Sequence, residues 1–507
     1  MRDIASPLDG FASPFGPVRR SLRAMLFGQN EPGFTFEPWD ITTLYQDRAG
    51  TTPVTAAGQS VGLRLDKSKG LWLGPELVTN GDFSAGATGW SSTNSTLSVV
   101  SGALQMSAQS ASPATTVQTI SGMTVGRTYE VSATYWQGGT GGTAARISFF
   151  GSATANNSTA TPVTVTLRIV ATLTSASISL QSFGTVNTLS YFDNVSVREL
   201  AGNHEVAIND AARGIYGWMP KTGRRNLLVA TDTLATQSVT VTAAAHTLAF
   251  TGTGTVVLSG AYVGTLIGTG ASDRGTLTFT PIAASLTLTV TGSVTLAQLQ
   301  LGSVDTAYQR VVSNYDITEA GVPSCYYVLA NGVNTAYVTP TITPNTDKVQ
   351  VFAGVRKNSD AASGIVVETS AEYTTNPGAF VLAAPSSAGA NSYRFGSNGA
   401  PAAPGANAGT GVFAAAPNTS VLTGLGSISG DIATLRRNGA LVETNTTNQG
   451  TGNYLAYPAY IYARGGTTLP FNGYDFGHAV RFGPNLDAAT IARVEALIAR
   501  NTPEVTL

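Results

Sequence analysis

The feature that most constrains this chain is a period of two. From Tyr129 to Trp136, residues Tyr129, Val131, Ala133 and Tyr135 fall on one side, with Glu130, Ser132, Thr134 and Trp136 on the other. The next run repeats the pattern, with Ile147 and Phe149 facing one way and Arg146, Ser148 and Phe150 the other. Further along, Val239 and Val241, Leu277 and Phe279, and Leu286, Leu288 and Val290 alternate with Thr or Ser. The runs are short and bounded by Gly, Ser, Thr and Asn. This is the pattern of antiparallel strands with one face in the core and one in water. β-branched Thr suits the wet face. The expected fold class is all-β: several antiparallel β-sandwiches, an irregular N-terminal arm and one C-terminal helix.

The balance of charge narrows the function. Charged residues make up 11% of the 507 residues, against about 25% in ordinary soluble proteins. The net charge is -1, so no basic field exists to attract nucleic acid or anionic lipid. Solubility falls to Ser, Thr, Asn and Gly. With few charges to guard sheet edges, stable packing in a homo-oligomer or larger assembly is expected. No run of 18 apolar residues occurs, so no membrane-spanning helix is expected. The N-terminus lacks the apolar core of a secretion signal, so synthesis in a cytoplasm is expected. The single cysteine, Cys325, allows no intrachain disulfide and is expected to be a buried small hydrophobe.

The chain divides into five stretches. Residues 1–75 carry Pro7, Pro14, Pro17, Pro32, Pro38 and Pro53 among scattered aromatics such as Phe34, Phe36 and Trp39. Proline excludes long helices and central strands. An aromatic-rich extended arm needs a surface to lie on, either its own chain or a partner. Residues 76–199 hold the clearest alternation, opening on Asn80-Gly81-Asp82-Phe83, with a core Trp90, and closing on Tyr191–Glu199. Residues 200–225 interrupt it, residues 226–312 form a small sandwich inserted after a first strand, and residues 313–507 resume the interrupted unit. The terminal helix is capped by Asn485 or Asp487, lays Leu486, Ala489, Ile491, Val494, Leu497 and Ile498 along one stripe, and stops at Pro503.

These motifs carry resemblances. The paired ends of 76–199 resemble carbohydrate-binding modules of the jelly-roll class, found beside glycoside hydrolases and in tailed-phage virion proteins. Tyr45–Leu71 resembles a segment near the start of phage tail-fibre proteins, and Leu296–Arg310 is also similar to virion sequences. The Gly202-Asn203-His204 run and the later YARGGT…FNG run (from Tyr462) resemble a concanavalin A-like (laminin-G-like) lectin domain. The acidic pair usual after a DGV-type turn in that family is replaced here by Asn331-Gly332-Val333-Asn334, which puts a calcium site there in doubt. The resemblance implies a virion appendage, a fibre, spike or head-decoration subunit. Its arm (1–75) would dock on other virion proteins of a phage-like particle, and its sandwiches would bind host cell-surface polysaccharide.

Two sites follow from residue chemistry. Trp136, Phe150, Arg146 and Glu130 point outward and would suit a sugar: a flat ring for its C–H face and polar groups for its hydroxyls. The alternative is that Trp136 is covered by a loop or another subunit. Asp82 and Asp193, at the adjoining ends of the module, match acidic positions that in related modules help bind a structural calcium. The alternative is an Asx-turn at Asp82 and a backbone cap at Asp193. No catalytic constellation stands. His204, His246 and His478 are isolated in sequence, no HExxH, GxSxG or P-loop occurs, and Glu368 and Glu372 are expected on the solvated surface. The chain is therefore expected not to be an enzyme. A glycan-degrading hydrolase and a purely architectural subunit are the alternatives.

Overall fold

The computed structural model describes residues 21–110, 113–138, 142–399, 406–408 and 415–507. Its architecture is all-β, three two-sheet sandwiches followed by one long helix at the C-terminus.

The first sandwich is a jelly roll of two five-stranded sheets. One contains strands Thr128–Gln137 and Leu189–Glu199 at its centre, and the other Gly142–Phe149 and Ser175–Gly184. Tyr129, Val131, Ala133 and Tyr135 are at most 2% exposed, as their parity requires. Ile147, Phe149 and Leu180 meet them from the facing sheet, and Phe192 joins them from the neighbouring strand of their own sheet. Each such side chain contributes roughly 1.5–3 kcal/mol by leaving water. Trp90 is buried against Phe83, ring centres 5.5 Å apart. The two ends of the module close through Gly81, whose carbonyl accepts the Val195 N–H at 2.9 Å. A Cβ at 81 would lie 2.0 Å from the Val195 oxygen, so only glycine fits.

The small sandwich pairs a four-stranded sheet with a three-stranded one around Leu248, Phe250, Leu258, Leu286 and Leu288. It leaves the chain after strand Gly214–Pro220, which pairs antiparallel with Ser324–Asn331 on the far side of the excursion. Asn226 ties its base, donating to the carbonyls of Ala297 and Gln309 at 2.9 Å each.

The large sandwich stacks an 11-stranded sheet on a 9-stranded one. Of the two surfaces open to the 1–75 segment, its own chain or a partner, the described part lies on its own chain. From Leu22 onward the segment is part of the body. Strand Gly33–Phe36 adds to Asn472–Phe482, Ser60–Val61 to Gly214–Pro220, and Leu63–Arg64 to Glu205–Ala207. Phe34 and Phe36 are at most 1% exposed in the sandwich core. The physical reason is that the segment's aromatics and its backbone donors both find partners on the same chain. Residues 1–20 lie outside the described residues.

The terminal helix, Ala488–Arg500, is capped by Asp487, which accepts the Thr490 N–H at 2.7 Å. Val494, Ile498 and Ala499 pack on Phe352, Val421 and the short helix Leu22–Leu26. Beyond its last turn the Lys221 ammonium donates to the carbonyls of Ala499, Thr502 and Val505. It satisfies backbone oxygens that the helix end leaves open.

Candidate functional site

The outward residues of Thr128–Gln137 define one broad face. Trp136 lies directly opposite Tyr191 in the ladder, and the rings stack with centres 5.2 Å apart and planes 6° off parallel. Both residues are half-buried. The Tyr191 hydroxyl accepts from Gln105 Nε2 at 2.6 Å, and Gln105 Oε1 accepts from Ser98 at 3.1 Å. Thr134 and Thr164 share a 2.7 Å hydroxyl contact beside the pair. Gly138 makes this arrangement fit, because a Cβ there would come within 2.2 Å of the Tyr191 ring. Further down the same face lie Ser132, Thr166 and Ser196 in register, then Glu130 between Arg168 and Arg198. Aromatic faces flanked by hydroxyls and an amide are chemically able to hold a sugar: C–H groups against the ring, hydroxyls against the donors and acceptors.

The structure does not bring the four sequence-predicted sugar residues together. Trp136 and Glu130 project from one sheet, Arg146 from the other, so they stand on opposite outer faces of a sandwich whose sheets are about 10 Å apart. Glu130 is held by Arg168 at 2.9 Å. Arg146 donates to Gln181 at 2.7 Å and lies over Phe183 at 4.7 Å. Phe150 follows its strand in a left-handed conformation (φ 49°) and rests edge-on against Phe149. Parity shows which residues point outward. It does not show that the chain crosses from one sheet to the other between Gln137 and Gly142. Tyr191 was missed although its parity beside the buried Phe192 was readable.

Asp82 is exposed and accepts from the N–H and hydroxyl of Ser84, the Asx-turn alternative. Asp193 accepts from the N–H and side-chain amide of Asn194. Both carboxylates thus serve local turns. Among the described residues no group of three or more His, Cys, Asp or Glu side chains is placed to hold a metal.

Two further expectations are corrected. Glu368 is buried rather than solvated. It accepts the Tyr373 N–H at 2.7 Å and pairs with Arg464 at 3.1 Å. Burial pushes its carboxyl up to about 7, against the pull of Arg464. Glu372 remains partly exposed on the same arginine at 2.8 Å. His478, isolated in sequence, sits in a fully buried charged cluster. Its Nδ1 meets Asp475 at 2.7 Å and its Nε2 meets Glu205 at 2.8 Å. Arg64 pairs with the same two carboxylates and lies over the Tyr337 ring at 4.3 Å. Burial opposes charge on His478, but the two carboxylates outweigh it and hold the imidazole up to about 9. Two positive and two negative groups make the cluster neutral overall. His204 differs: burial pushes it down to about 4, and it accepts the Asp66 N–H at 2.9 Å. Asp66 in turn accepts N–H groups of Thr35, Ser68 and Asn203. The Gly202-Asn203-His204-Glu205 run is therefore a clasp on Arg64 and Asp66. These groups are buried and act on the fold. Cys325 is 1% exposed, with its thiol pushed by burial up to about 11.

No protein-family model matches the chain, and no curated protein does. Solved structures similar to parts of it are carbohydrate-binding modules and jelly-roll lectin-like domains. A CBM4 module is 18% identical, over 24% of this chain and 99% of that one, with a TM-score of 0.21. The CBM40 module of a Ruminococcus gnavus IT-sialidase, bound to α2,3-sialyllactose, is 12% identical over 30% and 84%, with a TM-score of 0.25. The binding domain of botulinum neurotoxin DC, in complex with rat synaptotagmin II, is 10% identical over 34% and 42%, with a TM-score of 0.26.

Proposed function

We propose that this chain is a glycan-binding adhesion protein whose sugar-contacting surface is the Trp136–Tyr191 face of the jelly roll. The observation that carries the proposal is the stacked pair itself, held by Gln105 and Gly138 and set among the hydroxyls of Ser98, Thr134 and Thr164. On the sequence resemblances, the biological setting is an appendage of a tailed-phage or phage-like particle that contacts host surface polysaccharide. Docking on other virion proteins then falls to residues 1–20, since the rest of the arm is committed to the chain's own sheets. Weak single sites gain from repetition in a homo-oligomer on such a particle.

The test is a polysaccharide array probed with the intact protein, in calcium and in chelator, beside the Trp136→Ala variant. We expect binding by the parent and a loss of about tenfold or more in the variant, the scale of a removed aromatic anchor. Equal binding by the two proteins removes the face from consideration. No binding to any glycan favours the architectural reading, and release of reducing ends from the polysaccharide favours a hydrolase.

A further inference from the structure

An open cleft of about 470 Å³ lies where the jelly roll and the large sandwich meet, within the range of about 300–1,000 Å³ common for small-ligand sites. Its walls come from three distant parts of the chain: the segment at Arg48, the jelly-roll end at Phe150 and Arg168, and the large-sandwich strands at Val206 and Val338. Most of the lining is apolar, with Ile208 and Pro340 completing it.

Two guanidinium groups stand in these walls. Arg168 is fixed by Glu130 at 2.9 Å, by the Tyr45 ring at 4.7 Å, and through its own N–H to the Ala49 carbonyl at 2.8 Å. Its Nε is buried and has no acceptor. Arg48 is exposed at the rim, and among the described residues it makes no ion pair or side-chain hydrogen bond. Glu130 neutralises one of the two positive charges. One remains, which is the complement of a single carboxylate. Phe150 adds an aromatic wall, and its left-handed backbone is one that residues with side chains seldom take. Ser152 and Thr172 bring hydroxyls.

We infer that this cavity binds a carboxylate-bearing sugar unit of an acidic polysaccharide. The carboxylate lies between the guanidinium groups of Arg48 and Arg168, and the ring lies against Phe150. The inference rests on the glycan-binding reading of the chain and deepens it, because it names the sugar class. It does not need the Trp136 face to be the contact. Both lie along one sheet surface: Glu130, the partner of Arg168, is six residues from Trp136 on the same strand, about 20 Å at 3.3 Å per residue. One extended acidic chain could therefore reach both.

The experiment is calorimetric titration of the intact protein with digalacturonate and with its carboxyl-reduced counterpart. We expect digalacturonate to bind, with affinity falling as salt is raised, and the reduced disaccharide to bind about tenfold more weakly or less. Arg48→Glu, at an exposed and unpaired position, should lower digalacturonate affinity by about tenfold or more while keeping the melting temperature. Equal affinity for both disaccharides, or an unaffected Arg48→Glu variant, overturns the inference, as does failure of the parent to bind digalacturonate. Titration of Trp136→Ala separates the two readings. A loss there as deep as in Arg48→Glu places the acidic sugar on the sheet face, which sinks the cavity assignment and leaves glycan binding standing.

Discussion

His478 shows how far one side chain can depend on residues distant in sequence. Its imidazole is held charged by Asp475 and Glu205, and its pKa is raised from 6.5 to about 9. A group raised on folding stabilises fully below its unfolded value, and that contribution fades as pH rises through the folded one. The His478 contribution should therefore be complete below about pH 6.5 and gone near pH 9, a change of about 3 kcal/mol. Parallel denaturation of the parent and His478→Gln across this window isolates it: the parent should lose stability relative to the variant as pH rises. At pH 6 the variant should be less stable by about 3 kcal/mol, because Arg64 alone then faces two buried carboxylates. Gly138 gives a second test at this scale. Gly138→Ala drives a methyl into the Tyr191 ring, and overpacking of this kind costs about 1–3 kcal/mol. Tryptophan fluorescence of Trp136 should change as the stacked pair is displaced, along with a lower melting temperature.

At the scale of elements, strand faces and the helix were legible, and the assembly of strands into sheets was not. Tyr129 to Tyr135 and Ile147 to Phe149 read correctly because a two-residue period is a local property. The Asp487 cap and Leu486, Ile491, Val494, Leu497 and Ile498 of the helix stripe read correctly for the same reason, whereas Ala489 is exposed. Glu130 and Arg146 were assigned to one site because both point outward, yet which sheet a strand joins depends on residues dozens of positions away. Burial of charge was equally hidden. Glu368 and His478 have ordinary neighbours in sequence, and their partners, Arg464 and Glu205, lie about a hundred residues off or more. Lys221 is another such partner, since it closes the C-terminal helix from 278 residues upstream. Lys221→Met should strand its carbonyls in a half-buried setting and lower stability by about 1–3 kcal/mol, read by chemical denaturation.

For the whole molecule, the decisive finding is that residues 22–75 build the large sandwich instead of extending from it. Removing residues 1–75 takes away Phe34, Phe36 and Arg64, and leaves Glu205 and Asp475 without a buried arginine. Such a truncation should lose cooperative melting of the large sandwich, seen by calorimetry. The jelly roll and the small sandwich keep their own cores and should still melt. A truncated protein that melts like the parent would show the segment to be dispensable.

The ladder between Gly33–Phe36 and Asn472–Phe482 also sets an order in time. The ribosome releases the first of these strands long before it makes the second. Contacts within 76–199 and within 226–301 close over short loops and form early, whereas the ladder of Gly33–Phe36 waits for Asn472–Phe482. Nascent chains stalled before residue 470 should thus be protease-resistant in the two smaller sandwiches and cleaved readily around Gly33–Phe36. The strand Gly33–Phe36 must stay without its partner until Asn472–Phe482 has been made.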